Sequence, residues 1–362
     1  MADKPHTIDV ARSTADLDAL RTPWETLYES DPQARIFQSW SWVRGLAESQ
    51  PAMWSVLAVR QRGSNTLVAL LPLGAEAQRF RGLLVKRAVQ TGGRVGDSTG
   101  LVCAPGFEEA VISTLAAYMR SLAWDQFRAF DVADVRLRRL IELVADTPEH
   151  IERGKVTSVP FITLPDDWEV YLREKLSARR RQDLRHAMRA VAALPSFRMA
   201  DVTESSFETD FAVLMRLRQA RWGGSLERDQ RLFYPLMRRM FEDGRLWLRA
   251  LWSGAEPIAI IGGFPDRAHG VFWYYWGSFN AAYATISPGK ASFGIAIQHV
   301  IEQGFQTFSM TYGDEAYKAT FGTKEGLCED LVVDRPSLRS RIVGGAVATG
   351  VRLKRALAGG GM

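Results

Sequence analysis

The feature that most constrains the fold is an order of elements that occurs twice along the chain. In the first half, two apolar runs around a Gly-Ser-Asn turn predict a β-hairpin over residues 54–74, followed by an amphipathic helix over 106–127 and a strand. In the second half, a hairpin over 246–264 and an aromatic strand over 270–279 are followed by a helix over 287–304 and a strand. Helices interleaved with strands predict an α/β protein with mixed sheets flanked by helices, and the repeated order predicts a duplicated unit.

The length of the chain predicts two domains. A chain of 362 residues exceeds what one ordinary hydrophobic core supports. The polar stretch over residues 146–160 is typical of a crossing between domains. We therefore predict an N-terminal domain over residues 1–155, a C-terminal domain over 156–335 and a basic tail over 336–362.

The net charge of +5 is unevenly distributed. Six basic residues and no acidic residue lie between Arg335 and Met362, so the rest of the chain carries a net charge of −1 (5 − 6). A nearly neutral body argues against nucleic acid as a partner. The tail has an apolar middle between basic ends. It either packs on the domain as a last helix or frays, or it contacts an anionic membrane surface.

Cysteine and histidine usage argues against a disulfide framework and against a metal centre. Cys103 and Cys328 lie far apart, which suits a reducing compartment. The five histidines show no spacing typical of metal ligands. The sequence has no apolar h-region near its start and no run of about 18 apolar residues. We expect a cytoplasmic protein, at the inner face of the membrane if the tail binds lipid.

A Ser-Pro-Gly-Lys stretch begins the second predicted helix. A Walker loop requires GxxxxGK[ST], but Ala284 stands at the first glycine position and Ala291 at the hydroxyl position, so nucleotide hydrolysis is not supported. Free N–H groups at a helix N-terminus attract anions, and a lysine adds charge there. The alternative is an ordinary helix start. The candidate anion-binding residues are Ser287, Pro288, Gly289 and Lys290.

The aromatic strand FWYYW has two interpretations. Alternation places Trp273 and Tyr275 on one face, and Phe272, Tyr274 and Trp276 on the other. Such density is more often a strand buried on both faces. The alternative is a platform on which a sugar stacks, with Trp273 as a substrate contact.

Basic residues also cluster on a predicted helix, at Arg179, Arg180, Arg181, Arg185 and Arg189. Such a run is usually a solvated face, and the alternative is a rim that attracts phosphate-bearing substrates. Further along the chain, Arg218 and Trp222 precede a Gly-Gly pair and are candidate substrate contacts in a loop over a cleft. Asp97, in the glycine-rich stretch 91–100, is a candidate lining residue of an inter-domain cleft.

Residues 283–322 resemble the signature of the CelD/BcsL family of GNAT-type acetyltransferases. The shared pattern is Ser-Pro-Gly opening a helix, a strand after Gly-Phe, and then Gly-Asp-x-x-Tyr-Lys. Pieces at residues 36–42, 71–74 and 256–263 support it. The resemblance implies two tandem GNAT-like units, as in Fem-type peptidoglycan ligases. It also implies acetyl-CoA or another acyl-CoA as co-substrate, and a nucleotide sugar or lipid-linked glycan precursor as acceptor. The pathway it implies is the biosynthesis of bacterial exopolysaccharide of the cellulose or holdfast type, and a polysaccharide synthase is then a further candidate partner of the basic tail.

The resemblance further implies roles for individual residues. The strand that contains Tyr275 and Trp276 would supply N–H donors to the thioester carbonyl, and the Ser-Pro-Gly-Lys helix start would hold the pyrophosphate of CoA.

The last part of the signature would supply acid–base chemistry. Tyr317 would protonate the leaving thiolate, and Asp314 or Glu315 would act as general base. Lys318 would tune that carboxylate or hold an anionic substrate. The alternative is a short capped helix, in which Asp314 caps the N-terminus and pairs with Lys318. The family commonly reads Tyr-x-x-x-Gly-Phe here, whereas this chain has the last pair inverted.

Two other functions remain open from the sequence. One is a Fem-like ligase that uses aminoacyl-tRNA, although no long coiled-coil insertion is visible in the second half. The other is a non-catalytic protein that binds a glycan precursor or a synthase.

Overall fold

A computed structural model describes residues 5–50, 54–80, 83–90, 95–97 and 99–335. These residues form two compact units. The first unit consists of the described residues of Met1–Ala34, Ala52–Val156 and Glu329–Met362. The second consists of the described residues of Arg35–Pro51 and Thr157–Cys328.

The described α-helices, in chain order, are α1 Thr14–Ser30, α2 Trp40–Ser49, α3 Glu108–Ser121, α4 Val135–Ala145, α5 Trp168–Lys175, α6 Ala178–Ala192, α7 Phe207–Trp222, α8 Leu226–Glu242 and α9 Pro288–Glu302. The described strands are β1 His6–Ala11, β2 Trp54–Gln61, β3 Leu67–Phe80, β4 Leu83–Gln90, β5 Val102–Cys103, β6 Gln126–Val132, β7 Ile151–Thr163, β8 Phe197–Asp201, β9 Trp247–Ser253, β10 Glu256–Asp266, β11 Val271–Phe279, β12 Thr307–Ser309 and β13 Lys324–Asp334. Short 3₁₀ helices lie at Ile36–Gln38, Pro148–His150, Ala281–Ile286 and Lys318–Phe321.

The first unit contains a mixed sheet in the order β1-β2-β3-β4-β6-β13, with β5 paired to β3. The strands β1 to β4 are antiparallel neighbours, β4 and β6 are parallel, and β13 runs antiparallel to β6. Helix α3 lies between β4 and β6 in the chain, as a parallel crossover requires. Side chains from β2, β3, β6, α3 and α4 form its apolar core.

A buried ion network lies in the first unit. The Arg136 guanidinium donates to both carboxylate oxygens of Asp31, at 2.9 Å each, and to Asp134 at 3.0 Å. All three side chains are almost completely buried. Burial disfavours the charged form of Arg136, but its hydrogen bonds to the two carboxylates and their negative charges outweigh this effect, and the pKa of Arg136 is raised.

The second unit contains a sheet with the same plan, in the order β7-β12-β11-β10-β9-β8. The strands β8 to β11 are antiparallel neighbours, β11 and β12 are parallel with α9 between them in the chain, and β7 runs antiparallel to β12. Helices α5, α6 and α9 pack on one face of this sheet, with Leu184, Phe293 and Phe308 in the core. The repeated plan confirms the prediction of an α/β protein built from two similar units.

The units differ from the predicted domain ranges at a segment that lies early in the chain. Residues 35–51 belong to the second unit, because their aromatic side chains pack there. The Phe37 ring lies 5.5 Å from the Trp273 ring, and the Trp42 ring lies 5.3 Å from the Phe264 ring. Burial of these rings accounts for the placement of the segment.

The polar stretch predicted as a crossing is mostly a strand. β7 occupies Ile151–Thr163. Its β-branched residues favour extended structure even where the side chains are exposed. The predicted tail over residues 336–362 lies outside the described residues. Within the part of the chain that is described, no helix has the length and apolar character needed to cross a membrane.

Candidate active site

An opening between β11 and β12 creates the candidate site in the second unit. The two strands pair in parallel only from Val271 to Trp273, opposite Thr307 to Ser309. β12 then ends, whereas β11 continues to Phe279. Beyond Trp273, no described strand pairs with the main-chain groups on the β12 side of β11. An extended ligand can therefore hydrogen-bond to this edge.

A bulge in β11 changes the direction of its side chains. Gly263 lies opposite Tyr274 and Gly262 lies opposite Trp276, so Tyr275 is an extra residue on this strand. The predicted alternation is correct up to Tyr275. It is wrong for Trp276, whose ring packs near Phe211 and Phe233 of α7 and α8, at 6.1 and 5.0 Å. Tyr274 lies on the other face, 4.6 Å from the Phe293 ring of α9.

The opening contains a narrow slot with a volume of about 40 Å³. The residues that line it are Arg221, Trp222, Ile260, Ile261, Tyr274, Gly277, Ser278, Phe279, Gly289, Ser292, Phe293 and Tyr317. A Cβ on Gly277 would lie 2.7 Å from the Tyr274 hydroxyl oxygen, and a Cβ on Gly289 would lie 3.1 Å from the Phe279 ring. The two glycines therefore keep space that a side chain would fill.

Two tyrosines lie together in the slot. Tyr274 is buried and hydrogen-bonds the hydroxyl of Tyr317, which is 36% exposed. Burial raises the pKa of Tyr274 well above its usual value, and the neighbouring Tyr317 raises it further. Burial and then the Glu315 charge raise the pKa of Tyr317, while the hydrogen bond from Tyr274 opposes that shift. Tyr317 is therefore a protonated phenol at neutral pH and has a proton to give.

The N-terminus of α9 forms one end of the slot. Pro288 is its first residue, as the sequence predicts, and Gly289 lines the slot. Ser287 stands at the N-cap position with a left-handed conformation (φ 55°), and its side chain makes no capping hydrogen bond. Ser287 therefore does not cap α9 through its side chain. The first main-chain N–H groups of α9 have no partner within the helix, as at any helix start, and Lys290 lies beside them.

The loop before Tyr317 is organised by a buried lysine. Lys318 is 4% exposed, and its Nζ donates to the main-chain oxygens of Thr311 and Tyr312 at 3.3 and 2.8 Å. Its Nζ also lies 3.0 Å from Glu315 Oε2. A Cβ on Gly313, where φ is 134°, would lie 2.2 Å from that same oxygen. Lys318 therefore has a structural role in this loop.

The alternative of a helix capped by Asp314 is wrong. The stretch is a turn followed by a 3₁₀ helix at Lys318–Phe321, with Tyr317 at the N-cap position. Asp314 accepts a hydrogen bond of 3.1 Å from the main-chain N–H of Ser158 on β7. Glu315, and not the expected Asp314, is the ion-pair partner shown for Lys318. The general-base role of Asp314 or Glu315 stays a prediction.

The predicted substrate contacts fall in different places. Trp222 is 60% exposed and lines the slot. Arg218 instead faces α8, where its guanidinium lies 5.7 Å from the Phe233 ring. Trp273 is buried against Phe37. Asp97 is a buried residue of the first unit, and its role stays a prediction.

Sequence reasoning missed Arg221, which is adjacent to Trp222. Its guanidinium lies 4.8 Å from the Trp222 ring and 4.9 Å from the Phe279 ring, at the slot. Nor did it select Tyr274 or Gly277 as site residues. The one available signal was a glycine after a run of five bulky aromatic residues, since glycine in a strand often marks a bulge or a close approach.

Comparison with known proteins agrees with this geometry. Residues 178–319 match the family described as acetyltransferase (GNAT) domain. No curated protein matches the chain by sequence.

Solved structures resemble the whole described fold at low sequence identity. FemX aligns with a TM-score of 0.58 and 13% identity, covering 87% of this chain and 96% of FemX. The C-terminal domain of a protein assigned as a lysylphosphatidylglycerol synthetase of Agrobacterium fabrum aligns with a TM-score of 0.56 and 14% identity, covering 92% and 96%. A tandem GNAT protein from the clavulanic acid biosynthesis pathway aligns with a TM-score of 0.51 and 12% identity, covering 91% and 100%. The chain thus has the fold of tandem GNAT proteins, and residues 178–319 of its second unit are similar to a GNAT acetyltransferase domain.

Proposed function

We propose that the second unit transfers an acyl group from acetyl-CoA or another acyl-CoA to an amine or hydroxyl acceptor. The observation that carries the proposal is the combination of an unpaired β11 edge, a glycine at the N-terminus of α9 and a protonated tyrosine in one slot. The β11 edge can hydrogen-bond an extended pantetheine arm, and the N-terminus of α9 can bind a pyrophosphate. The tyrosine can protonate a leaving thiolate.

Each part of the slot has a role in this proposal. Beyond Trp273, where β12 no longer pairs with β11, main-chain N–H groups of β11 can polarise a carbonyl. The N-terminus of α9 at Gly289 and Lys290 holds the pyrophosphate. Tyr317, positioned by Phe293, donates its proton to the departing sulfur. The slot of about 40 Å³ is too small for a pantetheine arm, so exposed Trp222 must move when the co-substrate enters.

We propose a sugar or a lipid-linked glycan precursor as the acceptor, in bacterial exopolysaccharide biosynthesis. This part of the proposal rests on the resemblance of residues 283–322 to the CelD/BcsL family. It requires an acceptor nucleophile that loses its proton to a base, for which Asp314 and Glu315 are the nearest candidates in the chain to Tyr317.

A Fem-like transfer from aminoacyl-tRNA is the second candidate, and the structural likeness to FemX favours it. Against it, the longest described helices, α1 and α8, have 17 residues, so the described chain contains no long helical hairpin insertion.

Calorimetric titration with acetyl-CoA separates the candidates. Acyl-CoA-dependent transfer predicts saturable binding, together with release of CoA thiol when amino sugars or nucleotide sugars are added. Absence of binding at millimolar acetyl-CoA would refute the proposal and leave the aminoacyl-tRNA-dependent ligase or a non-catalytic binding protein. Binding without thiol release for any acceptor would favour the non-catalytic protein.

A further inference from the structure

Helix α6 carries a row of arginines that the proposed function does not use. Arg181, Arg185 and Arg189 are spaced four residues apart, so they lie along one face of the helix. All three line a pocket of about 460 Å³, together with Trp168. The pocket is therefore ligand-sized and strongly basic.

A second pocket, of about 390 Å³, adjoins the first. The two pockets share Met188 and Arg189 in their walls. Much of the second pocket is apolar, with Phe197, Met199 and Ile295 in its lining. A single groove therefore has a basic half and an apolar half, with Arg189 where they meet.

The charges in the basic half are incompletely neutralised. Arg185 pairs with Glu169, an exposed carboxylate. Arg181 donates to the main-chain oxygen of Leu172 at 3.3 Å. Arg189 has no ion-pair partner among the residues that the structure describes. Each guanidinium presents a planar fork of N–H donors that can bind phosphate oxygens in a bidentate manner.

The polar residues in the apolar half are mostly occupied. Arg249 pairs with Asp201, and Glu302 accepts a hydrogen bond of 2.9 Å from Gln298. The His299 ring stacks on the Trp247 ring at 4.5 Å. Burial, aided by the charge of Arg249, lowers the pKa of His299, so the ring is neutral at pH 7 and forms part of an apolar wall.

We propose that this groove binds a phosphorylated amphiphile, with its phosphate on the arginines of α6 and its hydrocarbon chain in the apolar half. Concave pockets of this size fit a single small molecule.

The position of α6 links the groove to the candidate active site. The Arg180 guanidinium donates to the main-chain oxygen of Ala319, two residues after Tyr317, at 3.1 Å. Farther along, the side chains of Leu184 and Met188 pack against Gly294 of α9. The assignment of an acceptor rests on the proposed acyl transfer. In that reaction the phosphorylated amphiphile is the acceptor, and its head group extends toward Tyr317.

Fluorescence or calorimetric titration with farnesyl diphosphate, below its aggregation concentration, tests the groove. We expect saturable binding that is tighter than that of inorganic pyrophosphate, which lacks the chain, or farnesol, which lacks the phosphate. The double variant Arg185→Gln/Arg189→Gln should weaken binding at least about tenfold, since hydrogen bonds to charged groups are lost. Arg231→Gln is the matched control, because Arg231 lies on α8 and pairs with Glu227 away from the groove.

Four results would overturn the proposal. The first is that farnesyl diphosphate does not bind at millimolar concentration, and the second is that it binds no more tightly than pyrophosphate. The third is that the double variant binds farnesyl diphosphate as tightly as the unmodified protein does. The fourth is binding only to phosphatidylglycerol vesicles, which would indicate a membrane surface instead. Acetyl-CoA affinity is measured on the same proteins. If only the double variant loses acetyl-CoA binding, the substitutions cause a general defect, and recognition of the amphiphile by these arginines is refuted. If the unmodified protein does not bind acetyl-CoA, only the proposed acyl transfer is refuted.

Discussion

Tyr317→Phe removes one hydroxyl from the slot and leaves the ring in place. A general acid contributes roughly 10²- to 10⁴-fold to a rate, which corresponds to about 3–5 kcal/mol of transition-state stabilisation. We therefore expect the turnover number to fall by at least about 10²-fold. The contact of the ring with Phe293, at 5.5 Å, needs no hydroxyl, and the side chain is 36% exposed. The variant should therefore stay folded, but buried Tyr274 loses its hydrogen-bond partner, so the free energy of unfolding should fall by about 1–3 kcal/mol.

The pH dependence of the unmodified protein gives a second expectation for Tyr317. Its pKa is raised by burial and by the negative charge of Glu315, so the phenol keeps its proton through neutral and mildly alkaline pH. Loss of this proton should therefore cause no decline in rate across that range.

The assay measures initial rates of CoA thiol release with saturating acetyl-CoA and a responsive acceptor. Tyr234→Phe is the control, because it removes a tyrosine hydroxyl that hydrogen-bonds Glu208 outside the slot. An unchanged turnover number in Tyr317→Phe would refute the proton-donor role. A lower rate accompanied by equal loss in Tyr234→Phe would also contradict it.

Four further predictions concern binding and stability. Gly289→Val places a Cβ within 3.1 Å of a neighbouring aromatic ring and should weaken acetyl-CoA binding at least about tenfold by calorimetry; undiminished affinity would exclude this helix start as the anion site. Lys318→Met leaves two main-chain oxygens without their donor and should lower the free energy of urea unfolding by about 1–3 kcal/mol, whereas wild-type stability would contradict the structural role. Arg136→Met leaves two buried carboxylates without their cation and should cost about 3–5 kcal/mol by the same measurement; a loss below about 1 kcal/mol would show that the network is dispensable. Burial raises the pKa of the Cys103 thiol to about 12, and Cys328 is also buried, so neither thiol of the native protein should react with Ellman's reagent at mildly alkaline pH. Rapid labelling before denaturation would contradict their burial.

Most of the element order could be predicted from periodicity, because both hairpins, the aromatic strand and α9 have strong local patterns. The bulge at Tyr275 could not, since it depends on how β11 pairs with Gly262 and Gly263 on β10. The extra residue Tyr275 moves the Trp276 side chain to the opposite face of the sheet. Strict alternation of side chains along a strand cannot predict this change. The sequence also could not predict that residues 35–51 pack in the second unit. Their aromatic partners Phe264 and Trp273 lie more than 200 positions away in the chain.

The sequence predicted that Gly289 and Tyr317 belong to one cleft, and their roles there stay predictions. Gly289 and Tyr317 do lie in one slot. The expected pairing of Asp314 with Lys318 assumed an α-helix, and a turn with a 3₁₀ helix places Lys318 against Glu315 instead. Arg221 lines the slot and Arg218 lies against Phe233 of α8, an arrangement that depends on how α7 packs; the substrate-binding role of Arg218 stays a prediction.

A crystal structure of the protein with bound CoA tests the central claim most directly. The account predicts the pyrophosphate at the main-chain N–H groups of Gly289 and Lys290, the pantetheine arm along the unpaired edge of β11, and the sulfur beside the Tyr317 hydroxyl. CoA bound elsewhere in the chain, or bound in the slot with its sulfur remote from Tyr317, would contradict it.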